Sequence, residues 1–258
     1  MTKPVAIVLA GDGINCDAET AYALELVGFE AKVVHVSDLL GRAQTLTASQ
    51  LLVLPGGFSY GDEIASGKVL AIKLRERLQN ALYDYIDSGN MVLGICNGFQ
   101  VLVQLGLLPD SVDRSSRLVS LIRNSHRRFV NQWVKLKVSA DCGRFFANLS
   151  EIELPIRHGE GRLALDSAES QDSFLVSQRA PLRYVDDVNG SFEKIAALTN
   201  EAGNVMGLMP HPEAFVRWTQ FPAWTTRKAE IKEHEGSTDF AHLPHGLAIF
   251  RNALSSLN

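Results

Sequence analysis

Residues 91–102 have the sequence MVLGICNGFQVL, in which an apolar run meets a cysteine between two glycines and then continues with helical spacing. The spacing Gly94-x-Cys96-x-Gly98 copies the G-x-S-x-G nucleophile elbow, a sharp strand-to-helix turn whose glycines let strand and helix approach closely. A thiol in that turn stands at a helix N-terminus, where the helix dipole favours the thiolate. The stretch therefore predicts a strand–turn–helix unit with Cys96 as nucleophile, and a buried structural cysteine is the alternative.

A candidate base follows a second short apolar run at residues 205–209. Two prolines flank His211 in the sequence Pro-His-Pro-Glu and favour extended backbone there. In extended chain, side chains two apart share a face, so Glu213 can orient the imidazole and leave one ring nitrogen to take a proton from Cys96. Taken alone, the motif is equally compatible with a surface turn. Together with the elbow, it predicts a Cys-His-Glu set for acyl transfer.

A glycine loop supplies a candidate oxyanion site. It follows the apolar run Leu51–Leu54 and has the sequence Pro-Gly-Gly-Phe. In an open parallel sheet, reacting groups gather at the carboxyl ends of the strands. The backbone N–H of Gly57 or Phe58 could then join the N–H of Asn97 in holding an oxyanion beside Cys96. An ordinary glycine turn is the alternative interpretation.

The first hundred residues alternate short apolar runs with longer segments of helical spacing. This alternation predicts an α/β fold with an open, mostly parallel sheet and helices on both faces. Polar composition predicts exposed loops at residues 167–179 and 227–237. The predicted helices are one from about Asp17 to Gly28 and one over residues 69–88. The predicted strands are Val5–Ala10, 31–36, Leu51–Leu54, the elbow strand, 133–138, 154–157, Ile195–Thr199 and 205–209.

Length, composition and cysteine content favour a single domain and a cytoplasmic protein. A chain of 258 residues with 46% hydrophobic content can bury one substantial core, so we expect one domain over residues 1–258. The net charge of -4 and the lack of basic runs argue against a nucleic-acid partner. The N-terminal apolar run is too short for a signal peptide or a membrane span. The three cysteines, Cys16, Cys96 and Cys142, lack the spacing of disulfides or metal ligands, so we expect no bound metal.

Two further glycine-containing motifs carry weaker predictions. The stretch GDGINC at residues 11–16 lacks the third glycine of a dinucleotide fingerprint, and a strand-to-helix turn explains it better. The sequence also has no G-x-x-x-x-G-K-[ST] phosphate loop, so we expect no ATP site in this chain. The set His-Gly-Glu-Gly-Arg at residues 158–162 could be a second acid–base pair, although a turn with a satisfied charge network is the commoner outcome.

Taken together, the elbow, the loop LPGGFSYGD at residues 54–62, the distant His-Pro-Glu and the His-Gly-Glu-Gly-Arg set resemble class I glutamine amidotransferases. More narrowly, they resemble the family of glutaminase subunits of phosphoribosylformylglycinamidine synthase. The resemblance implies a flavodoxin-like fold and hydrolysis of L-glutamine, with Cys96, His211 and Glu213 as the triad. It also implies that Gly57, Phe58, Asn97 and Gln100 form the oxyanion and substrate site, and that residues 158–162 lie at the pocket rim or the partner face.

The resemblance further implies a partner and a pathway. Ammonia would pass to a synthase subunit that binds formylglycinamide ribonucleotide and ATP with Mg²⁺, together with a small bridging subunit, in purine biosynthesis. No cofactor is expected in this chain. The family usually has an arginine after His-Pro-Glu, whereas this sequence has Ala214, and residues 215–245 match no part of the pattern. Two rival interpretations are an autonomous cysteine amidase or member of the related stress-protein superfamily, and a non-catalytic scaffold subunit. Proteins of that first group share the elbow but often place a histidine directly after the cysteine, where this chain has Asn97.

Overall fold

We describe the fold from a computed structural model, which describes residues 2–110, 117–139, 143–165, 175–235, 240 and 242–257. The longer helices are α1 (Asp17–Val27), α2 (Val36–Gly41), α3 (Lys68–Asp87), α4 (Asn97–Leu105), α5 (Trp224–Glu235) and α6 (His245–Ser255). The strands are β1 (Val5–Ala10), β2 (Glu30–His35), β3 (Leu51–Leu54), β4 (Met91–Ile95), β5 (Val119–Ile122), β6 (Val130–Val138), β7 (Glu151–His158), β8 (Arg162–Leu165), β9 (Leu182–Tyr184), β10 (Ile195–Thr199) and β11 (Val205–Leu208).

An open nine-stranded sheet organises the molecule, with the strand order β2-β1-β3-β4-β11-β10-β9-β6-β7. Its first five strands pair in parallel, and the pairs from β11 to β7 are antiparallel. The β1-α1-β2 and β3-α3-β4 units cross the sheet in opposite directions. Because such crossovers are right-handed, α1 and α3 lie on opposite faces. Helix α1 packs on α6 and α3 packs on α4, which completes a helical layer on each face.

The central strands explain why this sequence forms a buried parallel sheet. Every residue of β3, β4 and β11 is buried, as continuous apolar runs require when both faces are covered. Strand β2 lies at the sheet edge and is largely exposed. The carboxyl ends of β3, β4 and β11 meet at one edge of the sheet, which brings together the glycine loop, the elbow and the Pro-His-Pro-Glu segment.

The predicted α/β fold is confirmed, and the predicted strands and the two predicted helices form within a few residues of their expected bounds. The loop predicted over residues 227–237 is wrong, because α5 covers most of it. The segment was misjudged because α5 is polar all round and so has no apolar stripe, although Lys, Ala and Glu are strong helix formers. Of the other predicted loop, residues 167–174 lie outside the described residues, and residues 175–178 form one helical turn.

In the part of the chain that the structure describes, no helix combines the length and the apolar character needed to cross a bilayer.

Candidate active site

Cys96 occupies the sharp turn that its sequence predicts. It joins β4 to α4 with φ 50° and ψ -102°, a strained conformation for a residue with a side chain. Its N–H donates to the carbonyl of Leu208 at 2.8 Å, which ties the turn to the neighbouring strand β11. Gly98 is required two residues later, because a Cβ there would overlap the carbonyl oxygen of Leu54. The strain and the close approach together define a nucleophile elbow.

His211 and Glu213 form a buried pair at the end of β11. The N–H of His211 donates to the carbonyl of Pro155 at 2.9 Å, and its Nδ1 lies 2.6 Å from Oε1 of Glu213. The two side chains are 4% and 1% exposed. The predicted contact is confirmed, and His211 itself is extended as predicted, but the extended backbone does not continue, because Pro212–Ala214 form a 3-10 turn. The tighter turn brings the carboxylate back toward the ring.

The electrostatics of the pair favour the imidazolium that forms when the ring takes a proton. Burial lowers the pKa of His211, but the carboxylate of Glu213 and the thiol groups of Cys96 and Cys16 raise it, and the net result is a pKa well above the ordinary value. Nε2 of His211 has no hydrogen-bond partner among the described residues. The ring therefore has one nitrogen fixed by Glu213 and one free for proton transfer.

The Cys96 thiol faces a cavity of about 210 Å³. Its Sγ lies 3.7 Å from the carbonyl oxygen of Arg157, at the end of β7. The cavity is lined by Gly57, Phe58, Asp62, Ser66, Cys96, Gln100, Phe129, Arg157, His158, Gly159 and Glu160. Three of the predicted oxyanion and substrate residues therefore line the same space as the nucleophile.

Backbone hydrogen bonds show which of the two predicted oxyanion donors of the glycine loop is already bonded within the protein. The N–H of Phe58 donates to the carbonyl of Gly13 at 2.7 Å and is thus engaged within the protein. The N–H of Gly57 is left as the loop's candidate donor. Asn97 is the first residue of α4, so its own N–H has no partner within the helix. Gly57 and Asn97 are the pair best placed to receive negative charge near Cys96.

The side chain of Asn97 connects the parts of the site. Its Oδ1 accepts from the N–H of Ser59 at 3.1 Å, while its Nδ2 donates to Asp62 at 3.0 Å and to Gln100 at 3.0 Å. The Gln100 amide in turn donates to the carbonyl of Glu160. One buried network thus fixes the elbow helix to the glycine loop and to the segment after β7.

The far side of the cavity is acidic. Burial, partly offset by hydrogen bonds from Gly67, Asn97 and Ser66, raises the pKa of Asp62. Ser66 Oγ donates to Oε2 of Glu160 at 2.6 Å, and Arg123 lies 3.4 Å from the other carboxylate oxygen. Asp62 and Glu160 thus bring two carboxyl groups to one cavity, and Arg123 pairs with the second of them.

His158 is a neutral structural histidine within the cavity wall. Burial, with smaller effects from His211 and His126, lowers its pKa from 6.5 to about 4. Nδ1 lies 3.2 Å from Oδ1 of Asn124, and Nε2 has no partner among the described residues. Because Glu160 pairs with Ser66 and Arg123 instead of His158, the structure favours the turn interpretation of residues 158–162 over a second acid–base pair.

His158 should make the protein less stable as the pH falls. Unfolded chains take up a proton at this histidine near pH 6.5, whereas the folded protein does so only near pH 4, so the stability present above pH 6.5 is lost between those values. The expected loss from pH 7 to pH 5 is about 2 kcal/mol. Urea unfolding at the two pH values measures it. A His158→Asn variant, which keeps a donor for Asn124, should lose less; an equal loss in both proteins would contradict the assignment.

Several residues of the site could not be located from the sequence. Asp62 belongs to the quoted glycine loop, but nothing in its spacing shows that it faces Cys96. Cys16, interpreted as part of a simple turn, lies beside His211. His245 accepts from the N–H of Glu153 at 2.9 Å at the start of α6, and His126 lies outside the cavity lining. His245 therefore has a structural position, and His126, whose Nε2 lies 3.3 Å from the carbonyl oxygen of Val188, lies outside the candidate site.

The fold and site together define a class of enzyme with a cysteine nucleophile, a histidine base and an oxyanion pocket at the carboxyl edge of an α/β sheet. The CobB/CobQ-like glutamine amidotransferase domain matches residues 3–255, and the chain belongs to that family. The match includes residues 215–245, which the sequence motifs alone did not place.

Named relatives narrow the comparison. The chain is 35% identical to phosphoribosylformylglycinamidine synthase subunit PurQ of Methanococcus maripaludis, with 99% of this chain and 98% of the relative covered. It is 41% identical to the protein of the same name from Thermotoga maritima, with 83% and 89% covered. Among solved structures, a chain in the structure of PurLQS from Thermotoga maritima has a TM-score of 0.75 and 35% identity, with both chains fully covered. A glutamine amidotransferase from Thermotoga maritima, 14% identical with a TM-score of 0.55, shares the fold.

Proposed function

We propose that this chain is the glutaminase subunit of a phosphoribosylformylglycinamidine synthase, which hydrolyses L-glutamine to glutamate and ammonia and passes the ammonia to a synthase subunit. The observation that carries the proposal is the strained Cys96 elbow, whose cavity also contains Asp62 and Glu160 and whose thiol interacts with His211 of the His211–Glu213 pair. Full-length similarity to relatives that bear the PurQ name supports the particular synthase.

The first half of the mechanism forms a thioester. His211, held by Glu213, accepts the Cys96 proton, and the thiolate attacks the side-chain amide carbon of glutamine. The N–H groups of Asn97 and Gly57 stabilise the oxyanion of the tetrahedral intermediate. The imidazolium then donates its proton to the amide nitrogen, which leaves as ammonia while the thioester carbonyl forms.

The second half releases glutamate. Neutral His211 takes a proton from water, and the resulting hydroxide attacks the thioester carbon. Collapse of this second intermediate breaks the carbon–sulfur bond and returns the proton to the Cys96 sulfur. The overall reaction is therefore the hydrolysis of glutamine by water to glutamate and ammonia.

The cavity has the polarity that an amino-acid substrate needs. Asp62 and Glu160 supply negative charge for the α-ammonium group of glutamine, and Arg157 is the cation in the lining that can meet the α-carboxylate. Gln100, fixed by Asn97 and Glu160, lines the same cavity. In this proposal, the side-chain amide of glutamine lies at the thiol and its charged end lies near Asp62, Glu160 and Arg157.

The ammonia must leave by a shielded route, because in neutral water it becomes ammonium and is no longer nucleophilic. Two aromatic side chains of the cavity lining, Phe58 and Phe129, are 50% and 56% exposed. A synthase subunit that covers them would bury apolar surface and close the route. By resemblance, that partner binds formylglycinamide ribonucleotide and ATP with Mg²⁺, and a small subunit bridges the two chains. The cytoplasmic location inferred from the sequence stays a prediction.

Partner dependence tests the proposal against both rivals. We expect glutamate release from L-glutamine to rise when the matching synthase subunit and its ligands are added, because docking closes the site. The measurement compares release by this chain alone, by the mixture, and by the mixture without formylglycinamide ribonucleotide. Glutamate release that does not change when the partner is added would support an autonomous amidase. Absence of release under every condition would support a scaffold subunit.

A further inference from the structure

A second cysteine lies next to the His211–Glu213 pair. Cys16 precedes α1, and its N–H donates to the carbonyl of Gly56 at 3.2 Å, so the loop after β1 is fastened to the loop after β3. As a result, Cys16 Sγ, a ring nitrogen of His211 and a carboxylate oxygen of Glu213 all lie within 4.8 Å of one another. All three residues are buried, and the mechanism above gives Cys16 no role.

Two observations at this cluster point to a ligand. Oε2 of Glu213, on a residue that is 2% exposed, has no hydrogen-bond partner among the described residues. A buried carboxylate oxygen without a partner requires an explanation, and a cation supplies one. Nε2 of His211 likewise has no partner among these residues. Gly56 lets the ring approach Cys16, because a Cβ there would lie 3.3 Å from Cys16 Sγ and 2.8 Å from Cε1 of His211.

The donor set suits a borderline-soft divalent metal. Sulfur, imidazole nitrogen and carboxylate oxygen all bind Zn²⁺ at about 2.0–2.3 Å, which puts the donor atoms of a tetrahedral site about 3.4–3.6 Å apart. Small side-chain movements from the present spacing reach that value. The charges also match, because one thiolate and one carboxylate neutralise a divalent cation. Calcium and magnesium prefer sites made only of oxygen ligands.

We propose that Cys16, His211 and Glu213 form an inhibitory Zn²⁺ site that turns off the glutaminase by taking its base. Binding breaks the S–H bond of Cys16, forms the zinc–sulfur bond and releases that proton to solvent; where His211 is an imidazolium, the coordinating ring nitrogen releases its proton as well. Coordination through Nε2 of His211 would occupy the nitrogen that serves Cys96. Coordination through Nδ1 would replace the hydrogen bond between the ring and Glu213, and the remaining proton of the imidazole would stay on Nε2. Either way, the imidazole can no longer accept the Cys96 proton.

This site differs from the common case in which zinc blocks a cysteine enzyme by binding its nucleophile. Cys96 is not a ligand here, so Zn²⁺ should still bind when the nucleophile is absent. Direct binding therefore discriminates between the two cases. It also needs no glutaminase activity, so its failure is distinguishable from failure of the proposed function.

The test is a competition titration of Zn²⁺ between a chromophoric chelator and the full chain, under reducing conditions. Wild type and Cys96→Ala should each bind one Zn²⁺ with similar affinity. Cys16→Ser should bind at least about 10- to 100-fold more weakly, the loss that removal of even an outer-shell partner causes. Cys142→Ser is the matched control and should bind as the wild type does. Glu213→Gln, which keeps the side-chain shape, should also weaken binding and guards against misfolding of Cys16→Ser.

Inhibition gives the second readout. For each protein, glutamate release is compared with its own rate without metal. The Zn²⁺ concentration that halves this release should be higher for Cys16→Ser than for wild type, by the same factor as the loss of Zn²⁺ affinity. Binding that is lost in Cys96→Ala and kept in Cys16→Ser would overturn the proposal and place the metal on the nucleophile. Equal inhibition of wild type and Cys16→Ser would overturn it as well.

Discussion

Replacing Cys96 with alanine is expected to reduce glutamine-dependent synthesis by about a million-fold, the cost of removing the nucleophile from a catalytic triad. Alanine keeps the Cβ and so fits the turn at φ 50° as well as cysteine does. The loss is therefore chemical, and the α4 helix that begins at Asn97 should remain in place. The partner should still make its product from added ammonia, because the variant leaves the synthase chain untouched.

The experiment measures product formation by the assembled complex, first with glutamine and then with an ammonium salt as nitrogen donor. Cys142→Ala serves as the control for removal of a cysteine and should keep both activities. Loss of both activities in Cys96→Ala would contradict the division of labour between the two chains. Retention of glutamine-dependent activity would show that another group is the nucleophile.

The parts of the site that were predictable from the sequence are those encoded by local spacing. The elbow depends on glycines two residues to either side of Cys96, and the glycine loop follows directly from a buried strand. His211 and Glu213 are two residues apart, so their contact needed no knowledge of the rest of the chain. Even there, the backbone route differed, because Pro212–Ala214 turn instead of continuing in extended form.

The remaining site residues depend on which loops meet, and that is set by the sheet order. Cys16 reaches His211 because β1 lies next to β3 and both Asn15 and Cys16 donate to the carbonyl of Gly56. Spacing rules for metal sites look for ligands close in sequence, so they miss such a cluster. In the same way, Asp62 and Glu160 face one cavity only after β7 has joined the antiparallel half of the sheet.

The antiparallel half was also the harder half to predict. Parallel strands of the buried centre appear as unbroken apolar runs, and β3 and β4 have that form. Strand β6 has one face against the core and one toward solvent over part of its length, so its pattern is mixed. Helix α5 lacks any apolar stripe and is held at its first turns by contacts such as Arg227 with Glu153 at 2.9 Å. Tertiary contacts of this kind leave no periodic mark in the sequence.

Changing Glu213 to glutamine should lower kcat/KM for glutamine by about 10³- to 10⁴-fold, as loss of the orienting carboxylate does in other triads. A glutamine amide can donate to Nδ1 of His211, which forces the ring proton onto Nε2 and leaves no acceptor for the Cys96 proton. The variant also removes the carboxylate that raises the pKa of His211 while burial, which lowers it, remains. The pKa of His211 should therefore fall.

The lower pKa of His211 in Glu213→Gln should change the pH dependence of both stability and kcat/KM in a defined direction. In the wild type, the folded pKa of His211 lies well above 6.5, so the pair stabilises the fold fully below pH 6.5 and loses that contribution as pH rises through the folded pKa. The stability difference between wild type and Glu213→Gln in urea unfolding should thus be largest below pH 6.5 and shrink at higher pH. The alkaline limb of kcat/KM, set by loss of the imidazolium, should move to lower pH in the variant.

Glu230→Gln on the exposed face of α5 is the control and should change neither profile. Activity within tenfold of wild type would show that Glu213 does not orient the base, since the 2.6 Å contact would then be without catalytic consequence.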